Sequence, residues 1–219
     1  MNGFIDTSFN QQIAIGILNH IIEKMLACFD LMRQDCENNA KKIANNEIII
    51  RDYLFYNYLN NDTIMRNIGF DDFRFSPEVP ENYVDSKPQG RADLQVYSID
   101  EFRHRERYFI IECKRIGGDL TLNRKYIDEG IRRFIGKTPK YTSYFKTNCM
   151  LGFIVKDIDV VKNTHCINSL LKNEYTDIHV QSYLQEGSIP HTYMSSHGEI
   201  ASERITLIHV FANCVSVIS

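Results

Sequence analysis

Three ionisable residues stand at strand-like positions close together in the chain. Asp93 lies in Gly90-Arg91-Ala92-Asp93-Leu94-Gln95-Val96, and Glu112 and Lys114 lie in Tyr108-Phe109-Ile110-Ile111-Glu112-Cys113-Lys114-Arg115. Successive side chains of a strand point to opposite faces, so Glu112 and Lys114 share a face and Cys113 takes the other. Two adjacent strands would bring all three groups to one spot. Asp93 and Glu112 offer hard oxygen ligands, and magnesium typically takes only one or two carboxylates from protein. Such an ion would acidify and orient a water and neutralise charge on a phosphate. Lys114 could position or deprotonate the nucleophile or stabilise the transition state. The chemistry suggested is phosphodiester hydrolysis. The plain alternative is that Asp93 caps a turn while Glu112 and Lys114 form a salt bridge at a strand end.

The surrounding pattern supplies elements to position these groups. Ile13, Ile17, Ile21, Met25, Phe29 and Met32, widened by Leu18, Ile22 and Leu26, predict a long amphipathic helix from about 9 to 38. A second helix is expected over 44–60, with Glu47 in its first turns, ended by Asn60-Asn61-Asp62. A first strand over 73–79 is expected to be cut off by Pro77 or Pro80, followed by a loop over 81–89. Strands over 91–99 and 107–114 follow, joined by a charged turn at 100–106. In the second of these, Phe109, Ile111 and Cys113 make one face apolar and Tyr108 and Ile110 the other, as in a strand covered on both sides. Gly117-Gly118 breaks the chain, a helix is expected over 121–137, and Cys149-Met150-Leu151-Gly152-Phe153-Ile154-Val155 reads as a buried strand. A short helix near 160–171, a strand over 178–183 and a terminal pair at 191–194 and 205–211 complete the order. The expected class is α/β, with a mixed central sheet and a single domain.

With 219 residues, 43% of them hydrophobic, the chain can bury one sizeable core. No run approaches about 18 consecutive apolar residues, and the N-terminus has no signal-like pattern, so a cytoplasmic protein without a membrane partner is expected. Cys28, Cys36, Cys113, Cys149, Cys166 and Cys214 form no C-x-x-C pair and read as reduced, buried thiols. His191, His197 and His209 show no metal-ligand spacing, and His209 reads as a hydrogen-bonded core residue. The net charge of −3 hides an asymmetry: residues 103–146 hold 12 Lys/Arg against 5 Asp/Glu, while both flanks are acidic. Local charge governs phosphate binding, so this block suits a polyanion or, equally, a solvated helix face. The long first helix is expected to pack on the core or to mediate a homodimer or a partner contact.

Gly90-Arg91-Ala92-Asp93 entering one strand, Glu112-Cys113-Lys114 ending the next, an acid on the preceding helix, and a following helix that leads to an apolar strand together resemble the PD-(D/E)xK nuclease superfamily, over about 47–155. The resemblance implies a restriction-endonuclease-like α-β-β-β-α-β core over 44–155, preceded by a helical element (1–43) and followed by a C-terminal β extension (156–219). It implies Mg²⁺, with Mn²⁺ able to substitute, held by Asp93, Glu112 and the Cys113 backbone carbonyl. Lys114 would be the catalytic lysine and Glu47 an additional acid, although a helix N-terminal acid favoured by the dipole explains Glu47 equally. Ala92 stands where the nominal motif has proline. Arg115, Lys125, Arg132, Arg133 and Lys137 would track a nucleic-acid backbone, of DNA before RNA, while i,i+4 pairing of Lys125 with Glu129 is the plainer account of that lysine. The activity implied is a metal-dependent endonuclease, in a defence or restriction setting by analogy alone. A catalytically weak or inactive nucleic-acid-binding or protein-interaction module of the same fold is the alternative.

Overall fold

The computed structural model describes residues 7–99, 107–136, 139–200 and 203–219. The charged turn expected at 100–106, and Lys137, lie outside the described residues. Helix α1 (Thr7–Asn38) leads to α2 (Glu47–Leu54), which runs into a π-helical turn (Phe55–Leu59) and then α3 (Asp62–Asn67). Strands β1 (Phe73–Val84), β2 (Lys87–Ser98) and β3 (Phe109–Ile116) follow. Next come α4 (Leu120–Asp128), a 3-10 turn (Ile131–Phe134), β4 (Thr147–Ile154), α5 (Val160–Asn173), β5 (Val180–Glu186), β6 (Thr192–His197) and β7 (Ile205–Asn213).

All seven strands form one sheet in the order β1-β2-β3-β4-β7-β6-β5. The central trio β3, β4 and β7 is parallel, and an antiparallel pair flanks it on each side. The fold is therefore α/β with a mixed sheet. The C-terminal strands are not an appendage, because β7 pairs with β4 in the middle of the sheet. Buried strands alternate between two cores. Ile111, Cys113, Cys149, Leu151, Ile208 and Val210 face α1, while Ile110, Met150, Ile154 and Leu207 face α4 and α5.

Several boundaries differ from expectation for identifiable reasons. Strand β1 continues through Pro77 and Pro80 because it is an edge strand, where a missing N–H costs no ladder bond. It joins β2 in a tight hairpin whose central residues, Asp85 and Ser86, both have left-handed φ (49° and 63°), as a type I′ turn requires. The expected loop over 81–89 is thus strand and hairpin. Helix α2 starts at Glu47, where the Asn46 side chain accepts from the Ile48 and Ile49 N–H groups. Asn61 does the same for α3, so the Asn60-Asn61-Asp62 cluster opens a helix instead of only closing one. The helix expected over 121–137 stops at Asp128. At Gly130, just past that end, a Cβ would lie 2.4 Å from Met150 Cε and 2.4 Å from the Tyr126 carbonyl, so only glycine fits the close packing there.

Helix α1 buries Leu18, Ile21, Ile22, Met25, Phe29 and Met32 against the sheet but leaves Ile13 47% and Ile17 37% exposed. Its Asn10–Asn38 stretch is long and apolar enough to cross a membrane by length and composition alone, although polar residues interrupt it throughout. Here it serves as a core helix. All six cysteines are unpaired, and only Cys166 is not fully buried.

Candidate active site

The site forms where β2 parts from β3. The ladder between them covers only Leu94, Gln95 and Val96 opposite Ile111, Ile110 and Phe109. Beyond it the Asp93 carboxylate stands in for the missing backbone acceptor: Cys113 N–H donates to Asp93 Oδ2 (2.8 Å). The strand is irregular at this point. Leu94 faces the α1 core and Ala92 the α4 core, and Glu78, which the β1–β2 register places opposite Asp93, has a left-handed φ of 55°. Two acids directly across a pair of strands repel. Both turn to Arg51.

Arg51 is 2% exposed and donates Nη1 to Asp93 Oδ1 (2.7 Å) and to Glu78, and Nε and Nη2 to Asp52 Oδ1 (2.9 and 2.7 Å). It lies one turn after Glu47, so the capped start of α2 presents Glu47 and Arg51 on one face. Glu47 Oε1 accepts from Lys114 Nζ (3.0 Å) and Glu47 Oε2 from the Arg115 N–H (3.0 Å). Lys114 Nζ also donates to Glu112 Oε1 (2.6 Å) and the Cys113 carbonyl (2.7 Å), and lies 3.9 Å from Asp93 Oδ2. Asp93, Glu112, Lys114, Glu47 and the Cys113 carbonyl are thus brought to one point.

Glu112 is fully buried and Lys114 is 4% exposed. Burial, aided by the Asp93 charge, pushes the Glu112 carboxyl up to about 7 against the pull of Lys114 and Arg133. Burial alone would push Lys114 down, but Glu112, Asp93 and Glu47 outweigh it and hold the ammonium above its ordinary value. In this state Lys114 is a charged donor and cannot act as a base. Arg133 Nη1 reaches Glu112 Oε1 (3.3 Å) and donates to the Tyr141 hydroxyl, which in turn bonds Glu112 Oε2 and the Arg91 carbonyl. The carboxylate is therefore capped, not presented in an open cleft. A cavity of about 650 Å³ lies elsewhere, between α1 and the end of β7, among Phe29, Arg33, His191 and Asn213. It includes none of these groups, and its Arg33 is already paired with Asp30 and Glu37.

The expected phosphate-binding residues divide. Arg133 turns inward to Glu112, and Arg115 is half-buried at the start of α2, donating Nη1 to Asn45. Arg132 pairs with Asp128 and Asp177 and lies over the Tyr175 ring, so local acids engage it. Lys125 is exposed on α4. Arg51 and Tyr141 escaped sequence reasoning. The only trace of Arg51 was its i,i+4 spacing from Glu47.

Among the described residues no three His, Cys, Asp or Glu side chains form a metal-binding group. The donor set is nevertheless of the right kind for a hard cation: two or three carboxylates and one carbonyl surround a position that the Lys114 ammonium now fills. A metal fits there if the ammonium withdraws. A second polar cluster lies on the same side of the sheet. Tyr126 Oη bonds His209 Nδ1 (2.8 Å), and Ser195 Oγ bonds both His209 Nε2 and His197 Nε2 (2.7 Å each). Burial holds both histidines below their ordinary value, His197 near 4. These are buried core residues. Compared with family models, curated proteins and solved structures, the chain matches none.

Proposed function

We propose that this chain is a divalent-metal-dependent nuclease of the restriction-endonuclease-like class, acting on DNA. The observation that carries the reading is the meeting of Asp93, Glu112, Glu47 and the Cys113 carbonyl around the Lys114 ammonium. The order of α2, β1, β2, β3, α4 and β4, with β4 parallel to β3, supports the fold assignment. Asp93, Glu112 and the Cys113 carbonyl would hold Mg²⁺ or Mn²⁺, with Glu47 at its edge. The ion supplies Lewis acidity and an acidified water when bound. Lys114, displaced from the carboxylates, places a positive charge beside the scissile phosphate. Arg133 and Arg115 flank it as phosphate contacts, and Arg51 fixes Asp93 from behind.

Magnesium-dependent cleavage of plasmid, single-stranded DNA and RNA, measured for the wild type, Asp93→Asn and Lys114→Ala, tests the reading. Loss of at least about a hundredfold is expected in each variant, in line with the removal of a charge-stabilising group. Equal activity in all three sinks it. The capping of Glu112 by Lys114 and Arg133 favours one rival, a binding module of the same fold without catalysis. That module would bind DNA but show no Asp93-dependent metal affinity.

A further inference from the structure

We propose that the tip of the β1–β2 hairpin is a wedge that seats where the two strands of DNA part, about six base pairs from the bond that is cut; the inference rests on the nuclease reading. Turn residues are usually polar. Here residues 83–89 are all exposed, and three of them are apolar: Tyr83 (60%), Val84 (51%) and Pro88. Tyr83 and Pro88 are cross-strand partners, with Val84 next to them, so the three form one patch at the turn. Apolar side chains grouped at an exposed, fixed point mark a contact with another molecule.

The hairpin below the tip is held firmly. Glu81 is 2% exposed and accepts from Tyr108 Oη (3.0 Å), from Gln95 Nε2, and from the N–H and hydroxyl of Thr142 (3.3 and 2.8 Å). Asn82 donates to the Pro139 carbonyl, and a Cβ at Gly90 would lie 2.8 Å from the Lys140 carbonyl oxygen. A buried acid fixed by four donors, and a glycine where two backbones touch, anchor the arm and leave its tip to project.

The base of the same arm says what the tip meets. Asp93 lies there on β2, beside Glu78 and Arg91, which are 40% and 58% exposed, so DNA reaches the carboxylates past the arm. The charges along this path are Lys87, Arg91 and Lys140 against Glu78 and Asp85, a small positive excess that admits a phosphate backbone. The apolar tip then meets base faces, on which aromatic rings stack and between which apolar side chains insert. From Lys87 to Asp93 is six residues of strand, about 20 Å, the length of about six base pairs. Unstacking costs least where the strands have already separated, so a fork is the preferred seat.

The test compares a labelled forked duplex with a blunt duplex of equal paired length. Anisotropy titrations of the full chain, with Ca²⁺ in place of Mg²⁺, give the affinities, and Mg²⁺-dependent cuts are mapped on the fork. The fork should bind about tenfold tighter or better, with cuts clustered about six base pairs into the duplex. Tyr83→Ser combined with Val84→Ser should erase both the preference and the cluster, while melting temperature and blunt-duplex affinity stay near those of the wild type. Tyr83→Phe, which keeps the ring, should retain both. Equal affinity for the two substrates, or a preference that survives the double change, overturns the wedge and leaves the nuclease reading standing where the cuts still depend on Asp93. Self-association in sedimentation that the double change abolishes, without a fork preference, assigns the tip to a second copy and overturns it equally. Absence of binding and cutting on both substrates overturns the nuclease reading with it.

Discussion

Replacing Arg51 by methionine removes a buried guanidinium while keeping most of its apolar stem. Its three acidic partners are not equal. Asp52 and Glu78 are 37% and 40% exposed and can return to water, so their pairing is worth no more than surface pairs, about 0–1 kcal/mol. Asp93 is 14% exposed and after the change keeps the Cys113 N–H and, at 3.9 Å, the Lys114 ammonium that Glu112 and Glu47 already share. Stranding a buried charge costs about 3–5 kcal/mol, and the residual exposure of Asp93 puts the expected loss near the low end, about 3 kcal/mol. For a chain of this size that is a fall of about 6–12 °C in melting temperature. Urea unfolding at neutral pH measures it. In an Asp93→Asn background the same Arg51→Met change should cost only about 1 kcal/mol, because no charge is left to strand. A cost below about 1 kcal/mol in the wild type, or an equal cost in both backgrounds, refutes the assignment of Arg51 as the partner of Asp93.

Two further expectations concern the face of the sheet beneath α4. His197 is held near 4 in the fold against an ordinary 6.5, so the unfolded chain binds more protons between those values. Its contribution is complete above 6.5 and is lost as pH falls toward 4, up to about 3 kcal/mol; urea midpoints should fall across that window, and His197→Asn should flatten the fall. Gly130→Ala would press a methyl against the Tyr126 carbonyl, which cannot yield, and against Met150, the neighbour of Glu112 across β3 and β4. A loss of about 1–3 kcal/mol is expected, read as a lowered melting temperature, and an unchanged melt would contradict the packing.

What the sequence discloses here follows from which interactions are local. The period-2 alternation of Phe109 through Lys114 sets Glu112 and Lys114 on one face whatever surrounds them, and the apolar run at Cys149–Val155 is buried in any α/β arrangement. The β1–β2 hairpin was harder to see because Pro77, Pro80 and Pro88 read as breakers until β1 is known to be an edge. The need for glycine at Gly130, just past α4, comes partly from Met150, twenty residues away in sequence. Arg51 and Tyr141 belong to the site only through partners far along the chain: Glu78 and Asp93 for the first, Arg91 and Glu112 for the second. No spacing rule pairs such residues. The ion pairs of the basic block are illegible for the same reason, since Asp177 and Glu174 lie outside it and engage Arg132 and Arg124.

The burial pattern also sets the direction from which the proposed substrate must approach. Glu112 and Tyr141 are closed off beneath α4 and the segment that follows it, whereas Glu47 is 30%, Glu78 40% and Arg91 58% exposed. Access therefore lies between the capped start of α2 and the base of the β1–β2 arm, along the gap left where β2 leaves β3. That gap exists because the Asp93 carboxylate, and not a backbone carbonyl, satisfies the Cys113 N–H. The same substitution of side chain for ladder both opens the sheet and fixes the acid at its opening. A regular β2–β3 ladder at this point would have no need of Asp93, and Arg51 would have no buried charge to compensate.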